Sequence, residues 1–83
     1  MNALGNASLF MIKFKLKELI AQKEFDEHRI VSVSEICKTT GIGRTTLSAI
    51  LNNKGKNVGI ENVDRLCTYF GCEIQDLIEY ISD

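Results

Sequence analysis

The sequence contains no proline, a single histidine and only three cysteines. The cysteines are odd in number and form no Cys-x-x-Cys pair, which argues against both a disulfide framework and a zinc site. We therefore expect the cysteines to be small core residues, His28 to be a solvated loop residue, and the protein to use no metal or other cofactor. Without proline, nothing in the sequence interrupts a helical segment from within.

Long apolar runs are also missing. No run approaches the roughly 18 residues that a membrane span requires, and the first ten residues lack the basic region and apolar stretch of a signal peptide. The 83 residues are 45% hydrophobic and 25% charged, as in an ordinary soluble globular domain. We expect a cytoplasmic protein with one domain, residues 11–83, preceded by a flexible N-terminal arm or extension, residues 1–10.

Acidic side chains are absent from the middle of the chain, since no Asp or Glu lies between Glu35 and Glu61. That interval contains the cations Lys38, Arg44, Lys54 and Lys56. The formal net charge of the chain is −1, but residues 1–56 carry nine Lys/Arg against five Asp/Glu, whereas residues 57–83 carry one against six. Such asymmetry indicates one binding face and one opposing face.

Apolar periodicity predicts helices at both ends of the domain. The first is expected over Phe14–Lys23, and alternation of apolar and basic residues also allows a short strand at Met11–Phe14 before it. Phe25–Val31 is expected to be a polar connection, which could form a small hairpin with Met11–Phe14. Apolar stripes over residues 60–70 and 74–81 predict the fourth and fifth helices.

Two short helices with a glycine turn between them are predicted in the middle of the chain. Ser32 followed by Glu35 forms a capping box at the start of the second helix, and Gly41 suits the left-handed conformation that ends it. The third helix then begins after Gly43, at about residue 44, and ends at about residue 52, where Asn53 and Gly55 are expected to stop it. Two helices joined by a turn of about three to four residues that contains glycine form a helix-turn-helix, here about residues 33–52.

The third helix has two contrasting faces. Its apolar face consists of Leu47, Ile50 and Leu51. At ~100° per residue, the opposite face carries small, uncharged side chains, namely Thr45, Ser48, Ala49 and Asn52. A helix with such a face fits the major groove of double-stranded DNA, and a helix N-terminus favours phosphate. We therefore predict DNA binding through this face.

From Met11 onward the chain resembles the Xre/Cro type of phage-repressor-like helix-turn-helix regulators. The resemblance is carried by LKELIAQK, by VSEICKTTGIGRTTLSAILNNKG and by IENVDRLCTYFGCEIQDLIEYI. It implies an all-α, compact five-helix DNA-binding domain, to which a short N-terminal strand or hairpin could be added. It also implies a sequence-specific transcriptional regulator, expected to be a repressor, that places helix 44–52 in the major groove as a homodimer on a two-fold operator.

The same resemblance implies roles for individual residues. Arg44, Thr45 and Ser48 correspond to base-reading residues, and Ala49 to a contact with a thymine methyl group. Val33 stands where the family often has a Gln that contacts a phosphate, so the resemblance does not imply that contact here. The full predicted DNA-binding set is Ser34, Lys38, Arg44, Thr45, Thr46, Ser48, Ala49, Asn52, Lys54 and Lys56, with Thr46, Asn52, Lys54 and Lys56 directed to the DNA backbone.

Other classes of function fit less well. A protein-interaction module, such as an antitoxin or anti-repressor that retains the fold, is the alternative, with the acidic C-terminal half as its partner surface. An enzyme is not expected, because the sequence has no Gly-rich phosphate loop and no carboxylate pair in an apolar setting. We expect neither a membrane role nor a small-molecule effector. A homodimer would use Leu77–Ile81 or Met11–Phe14, unless these segments belong to the core.

Overall fold

The structure is a computed structural model that describes residues 10–54 and 58–82. Within these ranges the element order is β1 (Phe10–Phe14), α1 (Leu16–Glu27), α2 (Val33–Thr40), α3 (Arg44–Leu51), α4 (Ile60–Phe70), α5 (Ile74–Leu77) and β2 (Ile78–Ser82). The compact five-helix fold is confirmed, together with the optional N-terminal strand. The predicted arm lies outside the described residues apart from Phe10, and none of the helices described is long and apolar enough to cross a membrane.

The two strands join the ends of the domain in an antiparallel ribbon. Phe14 lies opposite Ile78, and the register continues outward to Phe10 opposite Ser82. The backbone N–H of Lys15 donates to the carbonyl of Leu77 at 2.7 Å, which extends the pairing toward the helices. The expected hairpin with residues 25–31 is therefore wrong, since the partner of β1 is the C-terminal strand.

Two predicted helices also have wrong boundaries, α1 at both ends and α5 at its C-terminal end. α1 begins at Leu16 and continues to Glu27, so the expected connection is helical over its first residues, and His28 ends the helix in the left-handed conformation with φ 54°. α5 stops at Leu77 instead of continuing to Ile81. Apolar residues at positions 74, 77, 78 and 81 fit a helical stripe, but β1 supplies backbone partners that convert the last of them into a strand.

The core contains apolar side chains from every helix. The described residues include no buried polar or charged side chain. The buried set is Phe14, Leu16, Val31, Ile36, Ile42, Leu47, Ile50, Val63, Leu66 and Leu77. The cysteines are half-buried and lie beside this set or at the end of α4.

An exposed network of charges joins α1 to α2 and α4. The Arg29 guanidinium donates to both carboxylate oxygens of Glu35 at 2.8 Å and to Glu27 at 2.8 Å. Glu35 also accepts from the hydroxyl of Tyr69 at 3.2 Å. The Arg29 hydrogen bonds hold the pKa of Glu35 below its usual value of 4.5. The pKa of Glu27 is lowered as well, first by Lys23 and then by Arg29.

This network predicts a contribution to stability that is present near neutral pH and lost in acid. Because the Glu35 pKa is lower in the folded state than in the unfolded state, its contribution is complete above pH 4.5 and is lost as the pH falls through the folded-state value. We expect Arg29→Gln to reduce the fall in melting temperature between pH 6 and pH 3 without affecting the fold. An unchanged pH profile, compared with that of an exposed control variant such as Lys17→Gln, would contradict this assignment.

Candidate nucleic-acid interface

The turn between α2 and α3 is held at both sides. Gly41 takes φ 81°, which residues with a side chain rarely adopt, and so ends α2. The hydroxyl of Thr40 donates to the Ile36 carbonyl at 2.6 Å and accepts from the N–H of Ile42 at 3.2 Å. Ile42 itself is only 3% exposed. The turn thus fixes the angle between the two helices through hydrogen bonds and through one buried side chain.

α3 divides into a buried and an exposed side, as the sequence predicts. Leu47 and Ile50 are fully buried, whereas Thr45, Ser48 and Asn52 are exposed and Ala49 is half-buried. One shallow concavity on this outer surface is lined by Arg44, Thr45, Ser48, Ala49, Asn52 and Lys54. The structure thus brings together six of the predicted DNA-binding residues.

The N-terminal ends of α2 and α3 meet through two side chains. The Arg44 guanidinium donates to the hydroxyl of Ser34, which is the second residue of α2. This contact holds Arg44 at the start of α3, beside its exposed face. Gly43, the N-cap of α3, has no side chain to accept from the first N–H groups of the helix.

Of the other predicted residues that the structure describes, Ser34, Lys38 and Thr46 do not line the concavity. Lys38 is exposed in the last turn of α2, and Thr46 is half-buried on α3. Lys56 falls in residues 55–57, outside the described residues. Asn52 folds back along α3, because its amide donates to the Ser48 carbonyl at 3.0 Å.

The electrostatics of this surface differ from those of the rest of the domain. Among residues 10–54 and 58–82, no carboxylate lines the concavity, and the cations that line it are Arg44 and Lys54. The ion pairs found among residues 10–54 and 58–82 all use other cations, namely Lys13, Lys23 and Arg29. The surface therefore presents positive charge that no carboxylate of the described chain neutralises, which favours an anionic partner.

One residue with a contact at this site was missed by the sequence reasoning. Asn53 was expected only to end the third helix, but its side-chain amide is hydrogen-bonded to the backbone of Phe14 in β1. A signal existed in the sequence, because Asn is the residue after Gly that most often ends a helix in the left-handed conformation. Its partner could not be identified from the sequence, because the two positions lie 39 residues apart.

Comparisons with known proteins agree with this geometry. A family model for the Cro/C1-type HTH DNA-binding domain matches residues 15–83. An uncharacterized HTH-type transcriptional regulator of Bacillus subtilis (strain 168), YozG, is 33% identical over 55 residues, an alignment that spans 66% of this chain and 66% of the relative. No solved structure shows significant similarity to the chain. The chain belongs to the Cro/C1-type family of helix-turn-helix DNA-binding domains.

Proposed function

We propose that the protein is a sequence-specific transcriptional regulator that places α3 in the major groove of double-stranded DNA, with repression by occupancy of its operator as the expected mode. The observation that carries this proposal is the concavity on the outer face of α3, whose described lining combines small side chains with the cations Arg44 and Lys54 and contains no carboxylate. Small side chains permit close approach to base edges, and Thr45 and Ser48 supply hydroxyl groups for hydrogen bonds there.

In this proposal, affinity and specificity come from different residues. Arg44 and the N-terminal N–H groups of α3 lie where a base edge or a phosphate would approach. Lys54 is exposed just beyond the C-terminal end of α3, so it would contact the DNA backbone. Because α3 carries only one charged residue, Arg44, we assign much of the affinity for DNA to Lys54 and to the predicted contacts of Lys38 and Lys56.

A titration of labelled random duplex DNA at several salt concentrations tests this proposal. We expect the logarithm of the association constant to fall linearly with the logarithm of salt concentration, because phosphate contacts release counterions. Lys54→Ala should lower affinity for all sequences alike and reduce the slope by about one. Lys17→Ala, which removes an exposed lysine from α1, should leave the slope unchanged. No binding at low salt would overturn the proposal.

The role of Arg44 is tested on a site chosen by in vitro selection from random DNA. Arg44→Ala should cost about 1–3 kcal/mol and relax the preference at one base pair if the guanidinium reads a base edge. Arg65→Ala removes an exposed arginine from α4 and serves as the matched control. A preference that is unchanged at every base pair would assign Arg44 to a phosphate instead.

We further propose that two copies of the chain associate with each other through the β1–β2 ribbon and that this dimer binds a two-fold operator. Both segments expected to mediate dimerisation lie in this ribbon except for Leu77, which ends α5, and both Leu77 and Phe14 are buried in the core. Farther out, Ile12 and Tyr80 lie opposite each other and are 57% and 67% exposed. This apolar face continues the core-facing side of the ribbon beyond the domain.

Sedimentation equilibrium tests the ribbon contact. The chain has a mass of 9.3 kDa, so we expect twice this value for the wild type at micromolar concentration and the monomer value for Ile12→Asp. Ile30→Asp is the control, because Ile30 is an equally apolar and 83% exposed residue between α1 and α2. Equal masses for the two variants would exclude the ribbon as the contact.

One observation favours the second candidate function, a protein-interaction module. Ile60 and Ile74 are 82% and 55% exposed, and with Cys67 they line a concavity that also contains Glu61 and Asp64. This surface belongs to α4 and to the start of α5, away from the outer face of α3. Binding of a partner protein, together with failure to bind duplex DNA at low salt, would favour this function over DNA binding.

A further inference from the structure

The C-terminal end of α3 has a conformation that glycine would normally supply. The N–H of Asn53 donates to the Ile50 carbonyl at 3.1 Å, and the N–H of Lys54 donates to the Ala49 carbonyl at 2.8 Å. These two hydrogen bonds define a Schellman motif with Asn53 at its left-handed position, where φ is 56°. α2 and α4 both end on glycine. The backbone at this position therefore does not by itself require an asparagine.

The side chain of Asn53 makes a two-point contact with β1. The N–H of Phe14 donates to Oδ1 at 2.6 Å, and Nδ2 donates to the carbonyl oxygen of Phe14 at 3.4 Å. Both backbone groups of Phe14 therefore point away from its partner Ile78, toward the outer edge of β1. The amide satisfies this edge much as a neighbouring strand would, through a part-buried hydrogen bond, although Asn53 as a whole is exposed.

We propose that Asn53 is a positioning residue, whose amide clamps the C-terminal end of α3 to β1 and thereby sets the orientation in which α3 meets DNA. This inference rests on the proposed function. α3 has only eight residues, and the turn after Gly41 holds its other end. Burial of Leu47 and Ile50 fixes its depth in the core. A second polar attachment at the far end limits its rotation about that buried stripe.

The clamp also determines where Lys54 lies. Lys54 follows Asn53 directly, and the Schellman hydrogen bond holds its backbone against the last turn of α3. Because binding groups must be held within about 0.5 Å of their productive positions, release of the clamp would move this contact as well as α3. The clamp further connects α3 to the ribbon, so the separation of two α3 helices in the proposed dimer would depend on it.

Two substitutions separate the role of the Asn53 side-chain amide from that of its left-handed backbone conformation. Asn53→Gly retains the left-handed conformation and removes the side chain. Asn53→Asp retains an acceptor for the Phe14 N–H but replaces the donor with a second oxygen that faces the Phe14 carbonyl. Glu24→Ala is the matched control. It removes a part-buried hydrogen bond in which the backbone N–H of Val31, in the α1–α2 connection, donates to the Glu24 carboxylate at 2.9 Å.

The experiment combines two measurements without DNA and one with DNA. Residual dipolar couplings of backbone N–H groups give the orientation of α3 relative to the ribbon, and amide exchange at Phe14 reports the clamp. DNA affinity is then measured on duplex DNA at a temperature where every variant is fully folded. We expect both Asn53 variants to change the couplings of α3 and to bind at least tenfold more weakly. Phe14 exchange should be at least tenfold faster in Asn53→Gly, and Glu24→Ala should match the wild type in all three measurements.

The outcomes separate the clamp from the proposed function. Wild-type affinity in Asn53→Gly would overturn the positioning role, even if Phe14 exchanged faster. If the wild type itself failed to bind duplex DNA at low salt, the proposed function would be wrong. In that case the residual dipolar couplings alone test the clamp. An unchanged orientation of α3 in Asn53→Gly would overturn it, and a changed orientation would support it.

Discussion

The outer face of α3 depends on the burial of Leu47 and Ile50 behind it. A helix of eight residues is not stable alone in water, so α3 persists because these two side chains are fully buried. Full burial of each stabilises the fold by roughly 1.5–3 kcal/mol. Because the helical period is fixed, the same burial directs Thr45, Ser48 and Asn52 outward. The core and the candidate interface are thus two sides of one helix.

Charge is distributed so that the scaffold and the interface use different cations. Arg29 and Lys23 pair with carboxylates of α1 and α2, whereas Arg44 and Lys54 lie in a concavity that no carboxylate of the described residues lines. Glu35, the last acid before the acid-free interval, is bound by Arg29 and Tyr69. Exposed ion pairs contribute little to stability, so added salt should weaken the proposed DNA binding far more than the fold.

The ribbon and α3 support each other. A two-stranded ribbon is only marginally stable alone, and this one is attached to the core through buried Phe14 and half-buried Ile78. Asn53 satisfies the outer edge of β1 at Phe14, which joins the ribbon to the end of α3. Asn53 therefore connects the surface proposed for a second copy to the surface proposed for DNA, although the ribbon strands come first and last in the element order and α3 lies between them.

Signals within a few residues of each other determined the helix-turn-helix from the sequence alone. Ser32 caps α2 by accepting from the N–H of Glu35, Gly41 ends it, and the stripe of Leu47 and Ile50 gives the buried side of α3. Only the tertiary structure decided that Ile78–Ser82 is a strand and that Asn53 contacts Phe14. The physical reason is range, because the backbone groups that select a strand over a helix at the C-terminus, and those that bind the Asn53 amide, belong to β1, far away in the sequence.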